Sequence, residues 1–529
     1  MPSKRLTSCL LFLALLIPSA WFAWQNRDMP QLGRGHDDAI YLTVAKSLVD
    51  GNGYRIQNLP GAPYETKYPP VGIWLLMLVW WINPEFPANL PIATVLQWAM
   101  IPPFLWLAGA WLKRVGLSER ARWGALTLLA VSPYTVGFGA GIYTEVLFGV
   151  LLLASLLACE RVGWRWALLA GALAGLAYWT RTAGIVALVS APAVFLWRKQ
   201  RREAAAYFAA TFVFVGSWIL WTKLNQSPMV DAATSYNADY AGFALAKLQF
   251  SDLRILVWEN FSRMLYAMGG LALPLETGSM FLAMLKITVA VGILHGLWLH
   301  RANRVLGFYG VFAALTVAEL LVWHYPPNLR LMYPLVPLML AGLVWEAQHF
   351  ADMLRKAFAH RDRSQRIAAK LVGAAAAGFA VYGVWMQGEM SFSELPAQAR
   401  QQEEVRAEGK AAFAWIAEHA DPQANVICVN PALYLYSGYR TQSLYPYPIF
   451  WYRGDFESLL EPIRSLPAHG AAYPMEYLYM HEFDYDTLAP GRGEEARRMV
   501  ESNPGLTPVF RNGRGVIYQL AQTSIAERR

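Results

Sequence analysis

Cysteine is nearly absent: the chain has three, Cys9, Cys159 and Cys428. Only Cys428 falls in the stretch read below as soluble, so an internal disulfide framework is excluded there. A basic patch is also missing. Lys and Arg exceed Asp and Glu, 45 to 37, for a formal net charge of +8. That excess is dispersed in short clusters between apolar runs, which argues against a nucleic-acid surface. Nor is there an internal repeat of the kind many transporters carry. What abounds is apolar side chains, 56% of residues with 22 Trp, against roughly 45–50% in soluble domains. The composition is that of an α-helical, polytopic membrane protein.

Apolar stretches near the roughly 20 residues that cross a bilayer fall at about 7–24, 89–112, 122–137, 142–159, 164–180, 182–197, 205–222, 280–299, 305–324, 331–348 and 370–387. Alternate loops carry the basic residues: Lys4/Arg5, "KRVGLSERAR" (113–122), "ERVGWR" (160–165), "WRKQRRE" (197–203), "HRANR" (300–304) and "RKAFAHRDRSQRIAAK" (355–370). The positive-inside rule puts all of them, and the N-terminus, in the cytoplasm of a cell with this chain in its inner (plasma) membrane. By elimination, loop 25–88, segment 223–279 and everything after about 388 lie outside. The apolar helix "PPVGIWLLMLVWWI" (69–82) is too short to span and would turn every later basic loop outward, so it is expected flat in the outer interface. The first segment also resembles a signal peptide, but its apolar run continues through Trp21, Phe22 and Trp24, as in a retained anchor.

From about 389 the composition turns charged and mixed. A helical pattern (394–420) leads into a strand, "NVICV" (425–429), a helix near 455–466, an extended "AAYPMEYLYM" and a helix near 494–502. "TPVFRNGRGVIYQL" closes as two strands around an Asn-Gly turn. The expected organisation is a transmembrane domain, 1–388, and a small extracytoplasmic α/β domain, 389–529.

An ionisable side chain left in the bilayer centre costs roughly 2.5–3.5 kcal/mol, so charges at span ends call for an explanation. On the topology above, Asp37, Asp38, Lys67, Glu145, Arg181, His324 and Arg330 all fall on the outer side. Each has an ordinary alternative: the Asp pair and Glu145 suit helix N-termini, and Lys67 and Arg181 suit interfacial snorkelling. Tyr68-Pro69-Pro70 stiffens the chain after Lys67, and "HYPPNLRLMYPLVP" (324–337) repeats a Pro-Pro corner before Arg330. Three cations and a carboxylate pair bordering one side of the membrane are what a lipid with an anionic head would need.

These pieces resemble the C-type superfamily of integral membrane glycosyltransferases, especially the branch of protein O-mannosyltransferases and lipid A aminoarabinose transferases. "HDDAIYLTVAKSLVDGNGY" matches the first outer loop, with its acidic pair and following Tyr41. "ETKYPPVGIW" matches a Lys-Pro-Pro corner, "IYTEVLF" an acidic helix start, "TRTAGIV" a basic turn and "RLMYPLVP" an Arg-Tyr-Pro corner. Relatives often have Asp-Glu where Asp37-Asp38 stand, and lack the Tyr68 inserted here between Lys67 and Pro69. The resemblance implies transfer of a sugar from a polyprenyl phosphate carrier to an acceptor hydroxyl of a lipid, glycan or protein outside the cell. It places catalysis on Asp37 and Asp38 and the donor phosphate on Lys67, Arg181 and Arg330, with Tyr41, Tyr68, Glu145 and His324 lining the substrate site.

If 37–50 is helical, Asp37 lines up with Tyr41, Val44 and Leu48 on the apolar face, with Thr43, Lys46, Ser47 and Asp50 on the wet side. Asp37 is then favoured as base over Asp38. The sequence assigns no cofactor and leaves a divalent cation open. A divalent cation on the Asp pair would need a loop, because adjacent helix positions point about 100° apart. The competing function is a transporter of an anionic lipid or metabolite.

Overall fold

A computed structural model describes residues 4–227, 232–275, 278–359, 363–466, 473 and 475–521. All the apolar stretches expected to cross the membrane are helical, and they divide by length. Among the described residues six continuous helical stretches are long and apolar enough to span, including 5–25, 90–114, 201–224 and 280–299. Shorter apolar helices cover Glu145–Cys159, Thr182–Trp197 and Leu306–Leu321. The stretch 122–137 is broken: Glu119–Val131 ends at Ser132, whose backbone is extended (φ −58°, ψ 132°), and Pro133 opens a new turn. Proline biases its predecessor away from helix.

The chain forms two compact units. The first comprises residues 1–27, 94–216 and 258–398. Its core runs through Phe104, Trp111, Phe148, Leu153, Phe195, Tyr309 and Tyr333, all nearly inaccessible. Helices Met280–Leu299 and Val336–Ala359 meet closely: a Cβ on Gly342 would lie 2.5 Å from the Ile293 carbonyl oxygen, so glycine is what permits the approach.

The second unit gathers residues 28–93, 217–257 and 399–529. Its sheet contains β1 (Asn425–Cys428), β2 (Arg440–Gln442), β3 (Tyr477–His481), β4 (Leu506–Asn512) and β5 (Gly515–Leu520), in the order β2-β1-β3-β5-β4. β1 runs parallel to β2 and β3, while β5 is antiparallel to β3 and β4. The closing hairpin differs by one position from the expected Asn-Gly turn. Asn512 pairs with Gly515, so the turn residues are Gly513 and Arg514. Gly513 takes φ 55°, the first turn position where hairpins of this length need glycine.

The helix Leu395–His419 continues from Arg363–Glu389 through a π-helical turn, Met390–Glu394, so the composition change near 389 falls inside unbroken helix. In segment 28–93, helix Asp37–Val49 packs against helix Pro70–Ile82, and the Trp80 indole donates to the Leu42 carbonyl at 3.0 Å. The latter helix is apolar throughout but two-faced in burial: Ile73, Leu76, Val79 and Trp80 are buried, while Trp74, Trp81 and Ile82 are exposed.

Candidate functional site

In the second unit the residues of the first loop converge. The turn before helix Asp37–Val49 is tight, with Gly33 at φ 84° and His36 at φ 62°. The buried Asp38 carboxylate closes it, accepting from the Gly33 amide at 3.1 and 3.2 Å. Asp37 does something different. Its Oδ1 accepts the Tyr68 hydroxyl and lies 3.9 Å from His36 Nδ1. Burial holds the Tyr68 phenol well above its usual range, so it stays a neutral donor to Asp37. The Tyr41 ring meets the Tyr68 ring edge-on at 4.7 Å.

Helix 37–49 is buried on more of its circumference than its sequence implies. Thr43 and Ser47, expected on a wet side, are buried, and the Ser47 hydroxyl donates to the Gly53 carbonyl at 2.8 Å. Loop 50–69 thus takes up Ser47, while Lys46 and Asp50 on the same side pair with each other at 2.5 Å and keep solvent contact. Asp38 is buried, whereas the Asp37 side chain is 25% exposed.

Lys67 lies among aromatic rings. Its ammonium sits 3.5 Å from the centroid of Tyr236, 4.5 Å from Tyr240 and 4.6 Å from Tyr68, a geometry in which ring faces attract a cation. Tyr236 stacks on Tyr445 at 4.1 Å, and the Tyr445 hydroxyl hydrogen-bonds His36 Nε2. Burial holds the His36 imidazole below its ordinary pKa.

Beneath this corner is Glu65, fully buried. Its Oε1 accepts the backbone amides of Lys67 at 2.7 Å and Tyr68 at 2.8 Å. Burial outweighs those bonds and pushes its carboxyl up from 4.5 to about 7. A group whose folded pKa is raised contributes stability that is complete below its unfolded pKa and is lost as pH rises through the folded one. Between pH 4.5 and 7 the parent should therefore lose roughly 3 kcal/mol at most through this group. Denaturation in detergent from pH 4.5 to 8 should show that slope, and Glu65→Gln should flatten it. A slope of the same size in the Gln variant would show that another group titrates.

In the first unit a second cluster forms from positions far apart in sequence. Glu145 opens helix Glu145–Cys159 and is fully buried, and its Oε1 lies 2.8 Å from Arg181 Nη1 and 2.5 Å from Arg330 Nε. Arg181 also donates to the Thr144 hydroxyl at 3.0 Å, and Arg330 lies over the Tyr143 ring at 5.3 Å. The two guanidiniums already share the Glu145 carboxylate, and the Glu319 carboxyl also interacts with Arg181. His324 is buried after helix Leu306–Leu321, with Trp323 and Tyr325 at ring distances of 4.7 and 4.6 Å.

The structure thus joins Asp37, Tyr41, Lys67 and Tyr68 in one unit and Glu145, Arg181 and Arg330 in the other. Sequence reasoning missed Glu65 and His36, although both sit inside the motifs "ETKYPP" and "GHDD" that it singled out. Tyr236, Tyr240 and Tyr445 lie in stretches with no pattern that could have marked them. Among the described residues no group of three or more His, Cys, Asp or Glu is arranged to hold a metal.

No known family's sequence profile matches the chain, and no curated protein matches it in sequence. Solved structures do. ArnT from Cupriavidus metallidurans bound to undecaprenyl phosphate superposes with a TM-score of 0.55 over 98% of both chains at 14% identity. Its apo form gives 0.52 over 98% of this chain and 99% of that one, at 15% identity. The chain shares the fold of these ArnT structures. The Archaeoglobus fulgidus oligosaccharyltransferase in complex with zinc and sulfate agrees, with a TM-score of 0.53 over 92% of this chain and 70% of that one, at 14% identity. At such identities the likeness is one of architecture, and with it the expected class, a helical membrane protein carrying a small C-terminal sheet, is the class observed.

Proposed function

We infer that the chain is a glycosyltransferase that moves a sugar from a polyprenyl phosphate-linked donor to an acceptor hydroxyl on the outer face of the membrane. Asp37 is the base. The acceptor oxygen must lose its proton as it attacks the anomeric carbon, on the face opposite the phosphate, and a carboxylate there takes it. The phosphate leaves as an anion that cations stabilise, and the candidates for that role are Lys67 in the second unit and Arg181 and Arg330 in the first. The observation that carries the reading is the contrast within the acidic pair: Asp38 is spent on the turn at Gly33, while Asp37 holds a Tyr68 hydroxyl beside Lys67. The neighbour solved with undecaprenyl phosphate adds support for a lipid carrier. Tyr41 and Tyr68 line the acceptor side in this reading, and Glu145 and His324 the donor side.

Envelope lipids and glycans compared by mass spectrometry between cells with and without the gene should differ by one sugar on one acceptor class. An unchanged profile together with unchanged export of anionic lipid would overturn the reading; a lost export with intact glycans would make the protein a transporter. In membranes supplied with donor, Arg181→Gln should lower transfer about tenfold or more, the worth of one charged hydrogen bond. Arg181→Lys should recover part of it, since the planar fork is lost but the charge is kept. Full activity in the Gln variant would remove Arg181 from the donor site.

A further inference from the structure

The first unit has a groove that the proposed transfer does not use. It is formed by the start of helix Lys4–Gln25 and by helices Ile101–Arg114 and Glu119–Val131, with a volume of about 640 Å³, within the roughly 300–1,000 Å³ of ordinary ligand sites. Phe12, Leu13, Leu105 and Trp106 line it, and two cations, Lys113 and Arg122, stand at one end. Leu105 lies eight residues before Lys113 in the same helix, so the apolar wall extends about 12 Å inward from the charge at 1.5 Å per residue. That is the geometry of a charged head over a hydrocarbon chain.

The charge at that end is incompletely matched. Arg122 pairs with Glu119 at 3.6 Å and lies over the Trp123 ring at 5.4 Å; Glu119 is 72% exposed, so water screens the ion pair and it is worth little. Arg122 Nε is buried yet donates to no described residue. Lys113 stands in the last turn of its helix, and "KRVGLSERAR" places two further cations, Arg114 and Arg120, in the same ten positions. Trp106 is 64% exposed on the groove wall. A neutral chain would suit the wall but not the rim, and a free anion would suit the rim but not the wall.

We propose that this groove is a site for an anionic glycerophospholipid, with its phosphate held by Lys113 and Arg122 and one acyl chain lying along Phe12, Leu13, Leu105 and Trp106. The chain provides its own reporter. Cys9 lines the groove and is exposed, while Cys159 and Cys428 are buried, so a bound lipid should slow alkylation of Cys9 and leave the others unreactive.

The test uses the full chain, purified in detergent, delipidated and titrated with phosphatidylglycerol or phosphatidylcholine, read by native mass spectrometry and by N-ethylmaleimide labelling of Cys9. Phosphatidylglycerol should remain bound and slow labelling at concentrations where phosphatidylcholine does neither. Lys113→Gln and Arg122→Gln should each weaken retention about fivefold, the usual effect of one basic residue at an anionic lipid surface. Ala110→Trp, which fills the groove, should abolish protection of Cys9 by either lipid. Equal retention of both lipids, or unchanged affinity in the double Gln variant, would overturn the proposal. A mass of two chains in place of lipid adducts would overturn it in favour of a second copy. Because the Gln variants alter only the rim, a loss of binding without loss of thermal stability separates the site from misfolding.

Discussion

Asp37→Asn should abolish transfer, by about 10²–10⁴-fold, the usual contribution of a positioned general base, while the protein accumulates in the membrane and still binds its lipid donor. The amide keeps the shape and can still accept the Tyr68 hydroxyl that Asp37 accepts, so the local packing has no reason to change. What it cannot do is take a proton. Asp38→Asn should behave in the opposite way. Its carboxylate accepts the Gly33 amide from a buried position, and an amide oxygen there is a weaker, uncharged acceptor. The expected cost is about 1–2 kcal/mol of stability, with measurable transfer retained by the folded fraction. Initial rates with donor-loaded membranes, normalised to folded protein, distinguish the two. A dead Asp38 variant beside a near-normal Asp37 variant would reverse the assignment, and two active variants would reduce the pair to a helix start.

The parts of this molecule that were legible in the sequence are those in which local pattern and structure share a cause. Apolar run length set the helices, because a bilayer requires backbone polar groups to be satisfied within the segment. Alternation and turn residues marked β1 and the last hairpin for the same reason, with a one-residue error at Gly513 because Asn-Gly and Gly-Arg fit the same stretch. The phase of helix 37–49 was only half legible. A period of 3.6 tells which residues share a face, but Thr43 and Ser47, on the side expected wet, are buried, and Ser47 bonds to Gly53 in the following loop. The aromatic surround of Lys67 was not legible at all: Tyr236 and Tyr240 come from a segment some 170 residues downstream, and nothing local records that they meet. The same is true of the first unit's cations. They read as a set of anion-binding charges, but the carboxylate that occupies both could be identified only from the fold.

That carboxylate carries the second large expectation. Glu145→Gln should destabilise the first unit by about 3 kcal/mol, the lower end of the range for removing one partner of a buried ion pair. The lower end is appropriate because Arg181 and Arg330 keep 19% and 30% of their side-chain surface in contact with solvent, which partly screens them. The cost arises because two guanidiniums that now share one fully buried oxygen would be left facing each other across a neutral amide. Arg330→Gln alone should cost less, since Arg181 would still hold Glu145 at 2.8 Å and keep its bond to the Thr144 hydroxyl. The decisive comparison is therefore the double variant. Glu145→Gln with Arg330→Gln removes one charge of each sign and should recover more than half of the stability lost in Glu145→Gln alone, a coupling that neighbouring residues show and distant ones do not. Thermal unfolding of the three variants and the parent in one detergent measures it. Additive losses would mean that the three side chains act independently and that the pair is no unit. Recovery of stability without recovery of transfer would separate what Glu145 does for the fold from what the arginines do for the donor phosphate: the carboxylate would hold the two cations in place, and the cations would be what the leaving group meets.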